Sequence, residues 1–559
     1  MKISEIVIHN VRTIKDARLK LKNYSLLVGP NNAGKSNIID AIRLFYEHDK
    51  LTFADKDKCW FANPGDTEVW IEIEYILTDA EYSDLKEDYR LPENKLKVRK
   101  YFRTHEVGDD GKMKSGYYAY AADGHIYDSR FYGEKNVASG KLGKVIYIPA
   151  MSNVEETTKL TGPSPLRTLI TNVLERVIEG NAAYEKLQKD LSEFSKNIKD
   201  AQTEDEKSLA QLQADISKAL QGWNSKFELD FKPLDSASIV KSLIAYKIGE
   251  AVDNMNPDQL GSGFQRHLIY SLLDIAARYP TPKTPKKTKE FCPNLSLLLF
   301  EEPEAFLHPD QQLAMCRNLK RLALDDTNQV LISTHSPHFI SQNIDDIPSI
   351  IKLNKPDKIT QTGQISDNKL KEILEENIIF PDEVNDDRSD IDKTTDMEAL
   401  KYMLWLDPQR CGCFFSKLVL LVEGPTEKAL FNYLFDKELI KLPRGGVFIL
   451  DTLGKWNMAK FMRILGELKI SHSVIFDDDN QSQKQKPWND HIIKSKNEFT
   501  RKITPLKGDL ETLLGTEKPK KHPERKPQYL LYKWIKDEIE PQNKEKILSL
   551  LHSCITLDE

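Results

Sequence analysis

"LLVGPNNAGKSNIIDAI", residues 26–42, joins an apolar, strand-like run to a helix-like run through a glycine-bearing loop. Gly29, Asn32, Gly34, Lys35 and Ser36 lie within G-x-x-x-x-G-K-[ST], in the strand–loop–helix order that a phosphate-binding loop requires. Backbone N–H groups of such a loop and of the helix terminus hold phosphates, the lysine reaches the outer phosphates, and the serine hydroxyl serves Mg²⁺. The front of the chain is therefore expected to be an α/β domain that takes ATP.

Outward from this loop, residues 2–8 and 17–28 alternate and are rich in β-branched side chains, so they read as strands, the second ending at Gly29. Further strand text stands at 68–77, 96–103 and 143–149. Between about 165 and 225, "YEKLQKDLSEFSKNIKDAQ" and "EKSLAQLQADISKALQGW" are spaced as helices with a polar break near 199–206, which predicts a projecting helical hairpin. Strand text at 226–231 is followed by a helix at 263–279, a strand at 295–300, a helix at 310–324 and a strand at 329–333. That alternation implies a parallel sheet with crossover helices. "PDEVNDDRSDIDKTTD" (381–396) is acidic and poor in large apolar groups, hence a linker or exposed loop. A second α/β unit follows, with strands at 417–422, 446–450 and 473–476. The boundaries expected are 1–160 and 229–380 for the two parts of an ATPase domain, 161–228 for a helical insert, 381–410 for a linker and 411–559 for the last domain.

The chain's 559 residues exceed one hydrophobic core, so two to four domains are expected. With 30% charged residues and a mean hydropathy of -0.51, and with apolar runs no longer than a strand, it reads as soluble and cytoplasmic, without a membrane partner or secretion signal. The six cysteines form no CxxC pair or disulfide framework, and the close pair Cys411 and Cys413 lacks further zinc ligands. A net charge of -6 does not decide for or against nucleic acid.

Two carboxylates, Glu301 and Glu302, end the apolar strand in "SLLLFEEPEAFLHP" (296–309), the sheet edge where ligands sit in an open parallel sheet. Glu301 suits the Mg²⁺ shell and Glu302 suits polarising an attacking water. "QLGSGFQRHLIYSLL" (259–273) is a glycine turn entering a helix, and "LISTHSP" (331–337) leaves His335 just past a strand. In this order the motifs resemble the ABC-type ATPase heads of SMC and recombination-repair proteins. The resemblance implies ATP-dependent dimerisation, with Lys35, Ser36, Glu301, Glu302 and His335 acting within one head and Ser262 and Gly263 supplied to a second. Departures are Glu301 where that family has Asp, no assignable glutamine between the loop and the signature, and no long coiled coil.

In the back half, "SKLVLLVEGPTEKALF" (416–431) sets Glu423 after an apolar strand with Glu427 four residues on. "HSVIFDDDN" (472–480) ends a strand in three aspartates, with Asp477 and Asp479 on one face by the period of two. "LKGDLETLL" (506–514) adds Asp509 and Glu511. So many strand-end acids repel one another unless a hard cation neutralises them, so Mg²⁺ or Mn²⁺ is expected. Two such ions can activate water and steady the leaving oxygen in phosphodiester hydrolysis, with a nearby lysine neutralising charge in the transition state.

E-G-x-x-E followed by D-x-D resembles the Toprim domain of topoisomerases, primases and nucleases. Too little chain remains for a topoisomerase's tyrosine domain and no metal-spaced cysteines suggest a primase, which leaves a nuclease. The series "EEPE", "LLVEGPTE", "FDDDN", "GDLE" and a late "RKP" resembles the overcoming-lysogenisation-defect (OLD) nucleases, a family that includes the nuclease subunit of the Gabija defence system. The resemblance covers nearly the whole chain. It implies metal-site roles for Glu423, Glu427, Asp477, Asp479, Asp509 and Glu511, catalytic roles for Glu423 and Asp477, and a charge-stabilising role for Lys526, with Lys520 and Lys521 close by as alternatives. It also implies a helical dimerisation segment, a homodimer or dimer of dimers, and service in defence against phage or mobile elements.

Lysine-rich text at 283–290 and across 484–526 gives an electrostatic footprint for DNA phosphates, and Trp488 and Tyr529 are candidate base-stacking residues. Two other readings stay open: a nucleotide-gated sensor or scaffold that cuts only with a partner, such as a helicase or a reverse transcriptase with its nucleic-acid product, and a nuclease acting on RNA such as tRNA.

Overall fold

The computed structural model describes residues 1–48, 51–59, 65–133, 141–149, 170, 174, 181–200, 208–219, 248–250, 253–255, 291–293, 295–340, 343–383, 407–443, 445–479, 482, 484–519 and 522–556. It divides into two compact units, Met1–Ala150 with Thr288–Glu559, and Met151–Lys287. The strands in chain order are β1 (Lys2–Val11), β2 (Ile14–Lys20), β3 (Tyr24–Val28), β4 (Val69–Ile76), β5 (Lys95–Arg103), β6 (Gly116–Ala119), β7 (Lys144–Ile148), β8 (Ile248–Glu250), β9 (Asp253–Met255), β10 (Ser296–Glu301), β11 (Asn328–Thr334), β12 (Ile350–Asn354), β13 (Gln361–Gly363), β14 (Leu418–Val422), β15 (Phe448–Asp451), β16 (Ser471–Asp477) and β17 (Thr500–Leu506).

The larger unit holds three sheets. β2-β1-β4-β5-β6 is antiparallel throughout. β2 alternates buried and exposed residues from Ile14 to Lys20, because one face covers a core and the other is wet. The second sheet, β13-β12-β3-β11-β10-β7, is parallel except at β13. Here β3 and β11 are buried along their whole length, the pattern of strands covered on both faces. Leu27, Leu297, Leu299, Leu331, Ile351 and Leu353 share one core with Ile38, Ile42 and Phe45 of the helix Lys35–Phe45 and with the antiparallel sheet. The third sheet, β15-β14-β16-β17, is parallel. β14 is wholly buried, and the helices Pro425–Asp436, Lys526–Ile535 and Pro541–Ile555 contribute Leu430, Phe431, Leu530, Trp534 and Leu551 to its core. Each such side chain gains about 1.5–3 kcal/mol from burial.

Residues 17–28 are not one strand. The alternating part ends at Lys20 in the antiparallel sheet, and the fully buried part begins at Tyr24 in the parallel sheet, with Leu21–Asn23 turning between them. In the smaller unit the helices Ala182–Asp200 and Leu209–Ala219 occupy the expected helical text, and β8 pairs with β9 antiparallel. The strand expected at 226–231, the helix at 263–279 and most of the linker at 381–410 lie outside the described residues. Among the described residues no helix is long and apolar enough to cross a membrane.

Candidate functional site

The phosphate loop leaves β3 in the middle of the parallel sheet, between β12 and β11. Gly29 has no room for a side chain, because a Cβ would stand 2.4 Å from the Leu353 carbonyl oxygen of β12. Gly34 (φ 105) sits in the left-handed region, and its Cβ would meet Thr360 Oγ1 at 2.3 Å. Asn32 also has positive φ (64), which an Asn tolerates better than most residues. Gly34 caps the helix Lys35–Phe45 and supplies no side-chain hydrogen bond to its first-turn N–H groups, a helix end that favours an anion. Ser36 is exposed there. Lys35 is buried, and its ammonium donates to the carbonyls of Gly29 (3.1 Å) and Pro30 (3.2 Å). Burial lowers it to about 8, against the opposing pull of Glu302, Glu304 and Glu301.

Glu301 ends β10, and Glu302 and Glu304 follow it. Tyr147 donates to Glu301 Oε2 at 2.7 Å, with the Arg43 guanidinium over its ring. Glu302 has a positive φ of 42, and its N–H donates to Ser333 O while Oε1 lies 3.5 Å from His335 Nε2. His335 is lowered by burial and then by Lys35. Glu304 was not singled out by spacing, yet it accepts from the His335 N–H at 2.5 Å, and its buried Oε2 has no hydrogen bond. The structure thus brings Lys35, Glu301, Glu302 and His335 to one sheet edge. Ser262 and Gly263 lie outside the described residues.

The second set gathers at the carboxyl edge of the third sheet. Glu423 follows β14, and its Oε1 accepts from the Asp477 N–H at the end of β16 (3.0 Å). Glu427, in the first turn of Pro425–Asp436, turns back so that Oε2 accepts from the Gly424 N–H at 3.1 Å. Asp509 caps Leu510–Leu514 by accepting from Thr512 N–H at 2.8 Å, and Glu511 is buried within that helix. Asp478, the middle aspartate, is structural: its Oδ1 accepts from Gly508 N–H at 2.6 Å and ties the two acidic loops together. Asp479 does not continue the strand. β16 stops at Asp477, Asp479 has a φ of 49, and its carboxylate pairs with Lys455.

Burial comes first among the causes that push Glu423, Glu427 and Asp477 each up to about 7, and repulsion from neighbouring acids adds to it. Asp509 behaves differently. Burial raises it, but Lys518 and Thr512 outweigh that and hold it at about 2.

Three lysines meet these acids. Lys526, at the start of its helix, stands 3.0 Å from Glu511 Oε2, Lys518 pairs with Asp509, and the buried Lys455 pairs with Asp479 and lies 3.7 Å from Glu423 Oε1. Lys455 carries no spacing signature, and Lys518 lies in the lysine-rich text expected to meet DNA phosphates rather than an acid, whereas Lys520 and Lys521 lie outside the described residues. Among the described residues no three acid, His or Cys side chains form a closed cation cage. Nevertheless, Glu511 Oε1 is buried without a hydrogen-bond partner, and Oε2 has the Lys526 ammonium near it but out of hydrogen-bond alignment. An unpartnered carboxylate oxygen beside other buried acids suits a hard cation.

Strand order and motif placement define an ATPase domain joined to a Toprim domain. The chain belongs to the AAA ATPase domain family, matched over residues 1–340, and carries an overcoming lysogenization defect protein-like TOPRIM domain, matched over residues 414–479. It is similar to the Old nuclease of Escherichia phage P2, 24% identical over 495 residues covering 86% of this chain and 77% of that one. Endonuclease GajA of Bacillus cereus is 22% identical over 503 residues (87% and 76%), and the OLD nuclease of Thermus scotoductus is 22% identical over 486 (85% and 82%). An ATPase domain with a Toprim domain implies use of a nucleotide and a divalent metal in general.

Proposed function

We propose that this chain is an ATP-binding, divalent-metal-dependent DNA endonuclease serving in defence against phage or mobile elements. The observation that carries the reading is the meeting of Glu423, Glu427, Asp477 and Glu511, all buried or nearly so, at one sheet edge beside Lys526. The names of the relatives in phage P2, B. cereus and T. scotoductus support nuclease chemistry. Glu423, Glu427, Asp477 and Glu511 would hold Mg²⁺ or Mn²⁺, with Asp479 and Asp509 joining once Lys455 and Lys518 release them. Bound there, a pair of such ions supplies an activated water and a sink for the leaving oxygen's charge. Lys526 would neutralise charge building on the phosphate, and the positive N-terminal end of Lys526–Ile535 adds to that field. In the front half, Lys35, Ser36, Glu301, Glu302 and His335 would bind ATP and Mg²⁺, with Ser262 and Gly263 from a second head completing the site in a homodimer or dimer of dimers. ATP would position or restrain the metal centre.

The test uses purified chain, plasmid DNA and Mg²⁺ or Mn²⁺, with and without ATP. Lys35→Ala should abolish nucleotide binding, and Glu423→Ala should abolish cleavage while ATP hydrolysis persists. Cleavage surviving Glu423→Ala removes the assignment. A chain that hydrolyses ATP but cuts only with an added helicase or reverse-transcriptase partner is the gated scaffold instead, and an RNA panel separates a tRNA-type substrate.

A further inference from the structure

The loop after β15 turns one side chain in to the acid cluster and leaves the next at the surface. Thr452 N–H and Oγ1 both donate to Val422 O at 3.0 Å, Gly454 N–H donates to Glu423 O at 2.8 Å, and Asn457 Nδ2 closes the turn on Thr452 O at 2.8 Å. The loop is therefore fastened to the same strand end that carries Glu423. From it Lys455, 4% exposed, reaches inward to Asp479 and Glu423. Trp456, the next residue, is 55% exposed. Its ring is nonetheless placed rather than free: a Cβ on Gly454 (φ 114) would lie 2.5–2.8 Å from three of the ring carbons, so the indole covers the bare face of that glycine. Leu453 beside it is also turned out, 47% exposed, at a φ of 52 that a leucine seldom adopts.

A half-exposed indole is an unusual use of the largest apolar side chain, which ordinarily gains most by burial. Here it stands on a pinned loop one residue from an ammonium in the acid cluster and two from the glycine bonded to Glu423. We infer that Trp456 is a specificity-determining residue: a platform on which an unpaired base next to the scissile phosphate stacks. Every base has a π-face, so the contact is sequence-tolerant. Within a duplex that face is covered by the neighbouring base pair, and exposing it costs unstacking energy. The platform therefore favours single-stranded, nicked or frayed DNA over intact duplex. This inference rests on the nuclease reading for its substrate, but not for its measurement.

The experiment measures binding of a labelled single-stranded oligodeoxynucleotide, and of the duplex of the same sequence, to the full chain in Ca²⁺ by fluorescence anisotropy, followed by cleavage of both in Mg²⁺ or Mn²⁺. Trp456→Ala should weaken single-strand binding on the order of tenfold and duplex binding much less, while Trp456→Phe retains most of the affinity. The loss should appear in KM rather than kcat. Unchanged single-strand binding in Trp456→Ala, or an equal loss for both DNA forms that Trp456→Phe does not restore, overturns the platform. Selective single-strand loss in a chain that cuts neither form leaves the platform standing and removes the nuclease reading. Cutting by a Trp456→Ala variant indistinguishable from the parent chain does the reverse.

Discussion

The ammonium of Lys352, in the middle of β12, donates to the carbonyl oxygens of Phe414 (2.8 Å) and Ser416 (3.1 Å), on the segment that enters β14. Lys352 is fully buried and pairs in register with Val28, the residue before the phosphate loop. On the same strand, the Leu353 carbonyl backs Gly29, and Asn354 Nδ2 donates to Lys469 O at 2.8 Å beside the third sheet. One short strand thus touches both the nucleotide loop and the Toprim unit.

Burial pulls Lys352 down to about 7 from its ordinary 10.5. Between those values the unfolded chain holds more protons than the folded one, so this group makes stability rise with pH across the window from 7 to 10.5. Lys352→Met, which keeps the volume and removes the titration, should flatten that rise. Relative to the variant, the parent chain should gain on the order of 3 kcal/mol between pH 7 and 9.5, at 1.36 kcal/mol per pKa unit. Thermal unfolding of both proteins across that range is the measurement; parallel curves contradict it.

Glu423, Glu427 and Asp477 shift in the opposite sense. Each is raised to about 7 from 4.5, 4.5 and 3.8, so between pH 4 and 7 the folded chain holds more protons and stability from this cluster falls as pH rises. Divalent cations bind the ionised form. Mg²⁺ or Mn²⁺ should therefore raise Tm more at pH 8 than at pH 6; where the ion stands a hundredfold above its Kd it adds about 2.7 kcal/mol to stability. Glu511→Gln should cut that gain. An ion-induced shift equal at both pH values speaks against a cation at these acids.

How much of this was legible in the sequence varies with how local each signal is. The phosphate loop was, because Gly29, Gly34, Lys35 and Ser36 are fixed by spacing within eight residues. So were β10, β14 and β16, whose apolar runs end in acids. β17 was not, since Thr500–Leu506 has an exposed, charged middle and a proline, as befits the outer strand of its sheet. The single strand expected over 17–28 failed because alternating and continuous apolar text abut without a glycine or proline between them. Asp479 reaches the cluster through a left-handed turn rather than a strand period, and Lys455 through the pairing of β15 with β14. Contacts of that kind have no sequence spacing to announce them.

Gly29→Ala tests the tie between the loop and β12. The clashing atom is a backbone carbonyl, at 2.4 Å from the new Cβ, so relief requires moving β12 or the loop. Such overpacking costs about 1–3 kcal/mol. Nucleotide binding should fall with stability in this variant, whereas Gly446→Ala, whose Cβ would meet nothing within 4 Å, should leave binding unchanged despite its positive φ of 71. Equilibrium binding of a fluorescent ATP analogue, read beside thermal unfolding, distinguishes the two.

Lys526 and Lys518 both face acids, but in different circumstances. Lys518 is 59% exposed and pairs with Asp509, which remains tied to Thr512 without it. Lys526 is 26% exposed and faces Glu511, which has no hydrogen bond of its own. Removing Lys526 therefore leaves a buried carboxylate without its nearest positive group and takes away the charge that pulls Glu427 and Asp477 down. If it steadies charge on the phosphate, Lys526→Ala should lower cleavage about 100-fold or more, the scale seen when one preorganised transition-state donor is lost. Lys518→Ala should cost far less. Oligonucleotide binding in Ca²⁺ should persist in both, which separates charge stabilisation from substrate capture. Lys526→Arg, which keeps the charge but not its shape, should recover only part of the rate. Equal losses for Lys526→Ala and Lys518→Ala would place the stabilising charge elsewhere in the cluster.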